Sequence, residues 1–334
     1  MSKLRVGILG CAQIAERYAI DALKSLPDVR LIAIASRDPA TARAWASRHN
    51  LEAESYESLL ARKDVDVIYS PLPVGLQEAW VLRAAEEGKH VICEKSITDS
   101  FESAERMVDV CRGRSVALYE NFVPGLHPQH RMIRERIAAG DIGIPRTWSG
   151  RYGFPPFADG DIRYRKDLSG GALNDCGCYT LFMARLVLAA EPIAVTCVLR
   201  NEGAEVDISG SALLEFPDAT ATMSFGFNHL YQNEYSIWGS RGMIETHRAF
   251  AIPPTLVPEV ILKTNDGTQE SLSRLDVPAA DQFALSFAYV CAAIRTGDSA
   301  AFEDMYDRIL SQARAMEALR ISARDGVRVV LGDL

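Results

Sequence analysis

The sequence predicts a chain in two parts. A doubly wound parallel α/β sheet is expected over residues 1–122, and an α+β domain with a mostly antiparallel open sheet over 123–334. Three observations predict it. Short apolar runs alternate with helical patterns through the first part, as in a parallel sheet. The first of those runs ends in a small-residue turn that opens a helix. From Ala194 onward, alternating runs follow one another with turn signals between them, as in an antiparallel sheet.

Composition sets the class. At 334 residues the chain exceeds one ordinary core and suits two domains. Hydrophobic residues make up 48% and charged residues 24%, the proportions of a soluble globular protein. A formal net charge of -8 offers no basic patch, so no nucleic-acid partner is expected. No apolar run approaches the roughly 20 residues of a membrane span, so no membrane partner is expected. Met1-Ser2-Lys3-Leu4-Arg5 leads straight into a strand, which argues against a signal peptide and for a cytoplasmic location. Seven cysteines are an odd number, and Cys93, Cys197 and Cys291 lie in apolar segments, as reduced thiols do. Cys176 and Cys178 stand too close for a zinc knuckle and no histidine pair accompanies them. Both read as packing residues, and no metal is expected. The chain has no internal repeat and no low-complexity segment.

The first strand is the run 4–9. Gly10-Cys11-Ala12-Gln13-Ile14-Ala15 follows, then a helical pattern from 15 to about 25. The register matches a dinucleotide fingerprint with Gly10, Ala12 and Ala15 at its three small positions. Gly10 makes the turn, Ala12 lets the backbone come close to a pyrophosphate, and Ala15 allows close helix–strand packing. The helix start offers N–H groups to phosphate, so Gln13 and Ile14 join the candidate cofactor residues. Small residues at such a turn also serve packing alone.

The second strand, 29–35, ends in Ser36-Arg37-Asp38. An NAD site carries Asp or Glu near this point to grip the ribose 2′-hydroxyl. A hydroxyl and a guanidinium suit a 2′-phosphate instead, so the expected cofactor is NADP. Asp38 is read as the cap of a helix starting near Ala40. The third strand, 65–70, ends in Pro71-Leu72-Pro73, a rigid turn at the same sheet edge. A helix over 77–87 is closed by Gly88.

The next strand, 91–93, stops in Glu94-Lys95-Ser96. The carboxyl end of a parallel strand is where open α/β sheets bind ligands. Lys95 at that end reads as a working lysine; the plain alternative is a surface pair after a strand. A helix over 101–111 and a strand over 116–121 complete this part.

In the second part, residues 147–154 alternate like a strand. Asn174-Asp175-Cys176-Gly177-Cys178-Tyr179 opens an apolar helix to about 188, and Asp175 and Tyr179, four apart, share one face. On their own they read as a capping Asp and a core Tyr. Strands are expected at 194–199, 209–216, 220–227, 235–239 and 242–246, with a hairpin of 260–264 and 269–273 around Asn265-Asp266-Gly267. Amphipathic helices over 283–295 and 305–324 close the chain. His229 and His247 have no partner at ligand spacing and read as structural.

Gly10-Cys11-Ala12-Gln13-Ile14-Ala15, Pro71-Leu72-Pro73, Gly88-Lys89-His90-Val91-Ile92-Cys93-Glu94-Lys95 and His127-Pro128-Gln129 together resemble the glucose-fructose oxidoreductase / inositol dehydrogenase / rhizopine-catabolism family (Gfo/Idh/MocA). The resemblance spans nearly the whole chain. It departs at Ser96, where the family has Pro, and at Val74, where many members have Asn. It implies a Rossmann domain followed by a substrate-binding and oligomerisation domain, with the last helix able to pack back on the first. It implies that Asp175 and Tyr179 face the nicotinamide, Tyr standing where many members have His. It also implies Lys95, Tyr179 and Asp175 as catalytic residues. Glu94, Asn121 and Arg163 fall on its cofactor side, and His127 and Arg163 on its substrate side. Arg163 and His127 are equally at home on an ordinary surface.

The reaction moves a hydride between nicotinamide and a carbonyl or carbinol carbon, so the oxygen needs a general acid/base and a nearby positive group. Tyr179 is the acid/base, and Lys95 its ammonium neighbour. Glu94 orients Lys95, and Asp175 binds sugar hydroxyls or holds Lys95. The tyrosine version, with Ile162-Arg163-Tyr164 and Gly170-Gly171-Ala172-Leu173 before it, resembles nucleotide-sugar 3-ketoreductases within the family. These reduce a dTDP-linked 3-keto-6-deoxyhexose with NADPH. Dihydrodiol, aldose and inositol-type dehydrogenases are the alternative in the same family. A silent NADP-binding regulatory protein is the alternative of another class. The partners implied are a sugar or nucleotide-sugar and further copies of the chain, as a homodimer or homotetramer through the C-terminal sheet.

Overall fold

Leu4–Leu9 forms β1, and Val6, Ile8 and Leu9 are wholly buried in it, because a parallel strand is covered on both faces. The structure, a computed structural model, describes residues 3–265 and 267–334. Met1 and Ser2, and Asp266 at the centre of the hairpin signal, lie outside the described residues. The described residues divide into two compact units: the first runs as far as Asn121 and takes in Phe283–Ala313, and the second holds Phe122–Gln282 with Arg314–Leu334.

In the first unit, the helix after β1 opens as a wide π turn, Ala15–Ala19, and continues as α1, Ile20–Ser25. β2 is Val29–Ala35 and α2 is Pro39–His49. Asp38 caps α2 as expected, accepting from the amides of Ala40 at 3.2 Å and Thr41 at 3.0 Å. A short strand, β3 (Glu52–Glu54), and α3 (Tyr56–Ala61) were not anticipated. β3 is an edge strand whose Glu-Ala-Glu sequence carries no apolar pattern to read.

β4 is Val67–Ser70, and α4 is Val74–Glu86, starting three residues before the expected Gln77. Pro73 stands at the N-cap, and Gln77 ties the turn down by donating to the Leu72 carbonyl at 2.9 Å. β5 (His90–Cys93), α5 (Phe101–Gly113) and β6 (Leu118–Glu120) follow. The six strands pair in parallel in the order β3-β2-β1-β4-β5-β6. The order reverses between β1 and β4, so the ligand crevice of such a sheet opens at their carboxyl ends, beside Gly10 and Pro71.

The second unit holds α6 (Pro128–Ala138), β7 (Pro145–Gly153), a π segment Leu173–Gly177 and α7 (Cys178–Leu188). Then come β8 (Ala194–Arg200), β9 (Ser209–Glu215), β10 (Thr220–Gly226), β11 (Gln232–Gly239), β12 (Gly242–His247), β13 (Val260–Asn265) and β14 (Glu270–Leu275). α8 (Gln282–Thr296) and the first part of α9 (Ser299–Asp325) return to the first unit, while the rest of α9 and a last strand, β15 (Val329–Val330), belong to the second. Among the described residues the second sheet has nine strands, in the order β14-β13-β12-β11-β7-β10-β9-β8-β15, antiparallel except for β7 with β10. Burial alternates residue by residue along β9 and β10, as a sheet with one covered face requires. Trp148, Phe225, Ile237 and Ile244 form the inner face, and Leu181 and Met183 of α7 belong to the same core.

Histidine burial gives this fold an acid limit. His130 of α6 is fully buried between the Tyr235 hydroxyl and the Ala249 carbonyl, both at 2.8 Å. Burial holds it down to about 3, helped by neighbouring His127. His127 is likewise held down to about 4 by burial. Both folded values lie below the ordinary 6.5, so the unfolded chain binds more protons as pH falls from 6.5. Stability is fully present above that pH and is lost below it. Each histidine withdraws about 3 kcal/mol by pH 4. Urea unfolding is expected to hold level from pH 7.5 to about 6.5 and then fall steadily to pH 4.5, less steeply in His130→Gln. A flat profile above pH 5 would contradict it.

Candidate active site

Each unit carries part of the predicted site. In the first, Gly10 leaves β1 at φ +127°, a conformation that side chains resist, and donates its N–H to the Ala35 carbonyl at 3.0 Å. A Cβ there would stand 2.9 Å from Leu72 Cδ2. The turn after β1 is thus packed directly against the turn after β4. The Ala12 carbonyl accepts from Ala15 at 3.0 Å and from Glu16 at 3.3 Å, so the chain is coiling by Ala12. Gln13 is exposed and Ile14 half-buried. Ser36 is half-buried, its Oγ accepting from the Asp38 amide at 3.2 Å, and Arg37 is exposed. Pro71 and Leu72 are buried and Pro73 half-buried. A tight turn, a helix start and an exposed guanidinium after the second strand are what a 2′-phosphorylated dinucleotide requires.

The end of β5 is strongly anchored. The Glu94 carboxylate is buried and accepts from the Tyr69 hydroxyl at 2.9 Å and the Asn121 amide at 2.7 Å. Burial raises its pKa, against the pull of Asn121, Tyr69 and the Lys95 charge. Three residues on, the Ile97 amide donates to Glu120 at 2.9 Å. Lys95 stands between these anchors, half-buried, and its peptide bond to Ser96 is cis. The hydrogen bonds to Glu94 and from Ile97 make the strand end a fixed mount for an ammonium. Asn121 spends its amide on holding Glu94 and accepts from Ser286 of α8 at 2.7 Å.

In the second unit, Asp175 lies in the π segment and Tyr179 in the first turn of α7. A π turn closes on i+5 rather than i+4, so the two still lie about one turn apart. The half-buried Tyr179 ring meets Phe122 and Tyr152 edge-on, at centroid distances of 5.6 and 5.4 Å. Asp175 accepts from Arg163 Nε at 2.8 Å, and Arg163 also pairs with Asp161 at 3.1 Å. The guanidinium lies 4.4 Å over the Phe157 ring. Burial would lower its pKa, but the Asp175 and Asp161 carboxylates outweigh that and raise it.

The structure thus joins Arg163 to Asp175. His127 is fully buried and caps α6, its Nδ1 accepting from the Gln129 amide at 3.2 Å. Three supporting residues went unseen in the sequence. Asp207 accepts from the Leu173 amide at 2.6 Å, and Arg320 donates to Asn174 at 2.7 Å, so both pin the start of the Tyr179 helix. Ser286 does similar work at Asn121. Each lies far along the chain from its partner, in a polar loop or inside a helix, where no local pattern marks it.

Among the described residues no group of histidine, cysteine or carboxylate side chains could hold a metal ion, and no helix is long and apolar enough to cross a membrane.

Comparison with known proteins adds the lineage. Residues 4–122 match the oxidoreductase family with an NAD-binding Rossmann fold, and residues 130–245 match the GFO/IDH/MocA C-terminal domain. The chain is 39% identical, over 325 residues and 96% of both chains, to dTDP-3,4-didehydro-2,6-dideoxy-alpha-D-glucose 3-reductase of Actinomadura kijaniata. It is 32% identical to D-xylose 1-dehydrogenase (NADP(+)) 2 of Haloferax volcanii, over 97% of this chain and 99% of that one. A crystal structure of a 3-ketoreductase from Actinomadura kijaniata, in complex with NADP and TDP-benzene, superposes with a TM-score of 0.91 at 38% identity, covering 96% of this chain and 98% of that one. With both halves matched and relatives aligned end to end, the chain belongs to the GFO/IDH/MocA oxidoreductase family.

Proposed function

We propose that the protein is an NADPH-dependent ketoreductase that reduces the 3-keto group of a nucleotide-linked 6-deoxyhexose. The observation that carries the reading is Lys95, mounted between the Glu94 and Glu120 anchors at the carboxyl edge of the parallel sheet. The nucleotide-sugar substrate is supported by the relative that reduces a dTDP-linked keto sugar.

Residues 1–122 hold the cofactor in this reading and residues 123–334 the sugar. The Gly10–Ile14 turn would hold the pyrophosphate, Ser36 and Arg37 the 2′-phosphate, and Pro71-Leu72-Pro73 the wall beside them. NADPH, when bound, supplies the hydride. Tyr179 gives its hydroxyl proton to the substrate oxygen as that oxygen gains charge, and recovers a proton from solvent afterwards. Lys95 places an ammonium beside the same oxygen and eases the loss of the phenol proton, whose reference pKa is about 10. Asp175 and Arg163, already joined, fix the wall of the sugar site. The mechanism requires Lys95 and Tyr179 to meet over one nicotinamide ring.

The chain acts in this reading as a homodimer or homotetramer in the cytoplasm. Val198, Leu213 and Trp238 stand exposed on strands of the second sheet, which suits a covered sheet face. Seven free thiols suit a reducing compartment.

The test is NADPH consumption with a dTDP-linked 3-keto-6-deoxyhexose made in situ, read at the nicotinamide absorbance band. Rapid consumption is expected. Faster oxidation of a free aldose by NADP would favour the dehydrogenase reading, and no turnover with any sugar would leave a cofactor-binding regulator. Arg37 tests the cofactor choice. Arg37→Ala is expected to raise KM for NADPH by about 10- to 100-fold, the worth of a charge-assisted hydrogen bond, and to leave KM for NADH unchanged. Equal effects on both would remove Arg37 from the 2′-phosphate.

A further inference from the structure

Ser286 lies in the middle of α8, fully buried, in a helix whose sequence is otherwise mostly apolar. It is joined to a directional chain of hydrogen bonds. Its hydroxyl donates to Asn121 Oδ1 at 2.7 Å, and so accepts from the Tyr119 hydroxyl at 3.0 Å. Asn121 then presents Nδ2, not Oδ1, to Glu94 at 2.7 Å. The Tyr69 hydroxyl donates to the same carboxylate oxygen at 2.9 Å. Every link lies within the first unit, and Asn121 and Ser286 are wholly buried.

The direction matters. An Asn amide can turn over and exchange its donor and acceptor ends. With Oδ1 held by Ser286, only the NH₂ end faces Glu94. Turned over, Asn121 would set an oxygen against a buried carboxylate, which is relieved only by protonation. Glu94 directly precedes Lys95, and burial already disfavours its charged form.

We infer that Ser286 is a positioning residue for Lys95: by fixing the Asn121 amide it keeps Glu94 a carboxylate, and so keeps a countercharge and an anchor beside the lysine. The inference rests on the ketoreductase reading for the role of Lys95, but not for the hydrogen-bond chain itself. The other ionisable groups around Glu94 are Tyr69 on β4, Cys93 on β5, and Tyr119 and Glu120 on β6. Burial pushes the Cys93 thiol well up and Tyr119 to about 12, so neither titrates in the range where Glu94 would. From α8 itself, Tyr289 faces Tyr119, and burial raises it as well.

Ser286→Ala removes the donor that fixes Asn121. Glu94 then loses the secured Asn121 hydrogen bond that favours its charged form against burial, so its pKa rises further and its proton is lost at a higher pH. The readout is a pH titration of the Glu94 side-chain carboxyl by NMR of carbon-13-labelled glutamate in the full chain, assigned by the signal missing from Glu94→Gln. Ser286→Ala is expected to move that titration up by about one pH unit, a tenfold change in proton affinity. The acidic limb of the kcat profile should move with it, while KM for NADPH stays put. Tyr119→Phe, which leaves the Ser286–Asn121 bond in place, should give a smaller shift of the same sign. If the alanine variant does not fold, Ser286→Cys keeps a weaker donor and should shift the titration the same way. A Ser286 variant of lowered Tm whose Glu94 titration matches wild type would overturn the inference and leave a packing serine. The titration needs no turnover, so it decides the role of Ser286 even if the wild-type chain reduces no keto sugar.

Discussion

Lys95→Ala is expected to lower kcat by about 10²–10³-fold, the loss found when one donor to a developing oxyanion is removed. The Kd for NADPH should move only a few-fold. The reason lies in how Lys95 is held. Its neighbours are fixed by Tyr69, Asn121 and Glu120, so the ammonium costs little reorganisation when charge appears on the substrate oxygen. A water taking its place would have to be oriented anew in each turnover. Lys95→Arg should rescue little, because a planar guanidinium does not reproduce a compact point charge on a flexible stem. Single-turnover kinetics with NADPH and the keto sugar separate this loss from binding. An alanine variant within threefold of wild type would show that the lysine is a surface residue after a strand.

Tyr179→Phe should cost about 10²–10⁴-fold in kcat, the usual contribution of a positioned general acid. The substitution removes one oxygen and keeps the ring. The edge-on contacts with Phe122 and Tyr152 therefore survive, and Tm is expected to stay close to wild type. KM for the sugar should change by a small factor, and the basic limb of the kcat profile, which reports the phenol, should disappear. Retention of that limb at normal turnover would assign the proton to another group.

Much of this was readable in the sequence, for definite reasons. The inner stretches of β1, β2 and β5 are buried on both faces, so beyond Arg5, Arg30 and His90 near their starts the runs are apolar and end in Gly, Ser or charge. Asp38 announces α2 because a capping carboxylate has a local signature. β3 stayed hidden because its Glu-Ala-Glu sequence pairs through backbone alone at a sheet edge. The start of α4 was placed late because Gly75 looks like loop, whereas Gln77 reaches back to the Leu72 carbonyl and secures the first turn. The residues proposed to touch the chemistry are legible by position: Gly10 at a turn, Lys95 at a strand end. Those that hold them are not. Ser286 is separated from Asn121 by 165 residues and Asp207 from Leu173 by 34, and only the folded chain brings such pairs together. Arg163 and Asp175 each stand out in the sequence, but their ion pair is a tertiary fact.

The central claim is spatial: one ammonium and one phenol share a single nicotinamide. The most direct measurement is a crystal structure of the full chain with NADP and thymidine diphosphate bound. Lys95 Nζ and Tyr179 Oη are both expected within about 3 Å of one point beside the nicotinamide C4, where a substrate oxygen would sit. The two groups lying on opposite sides of the ring, or either one turned out to solvent, would contradict it.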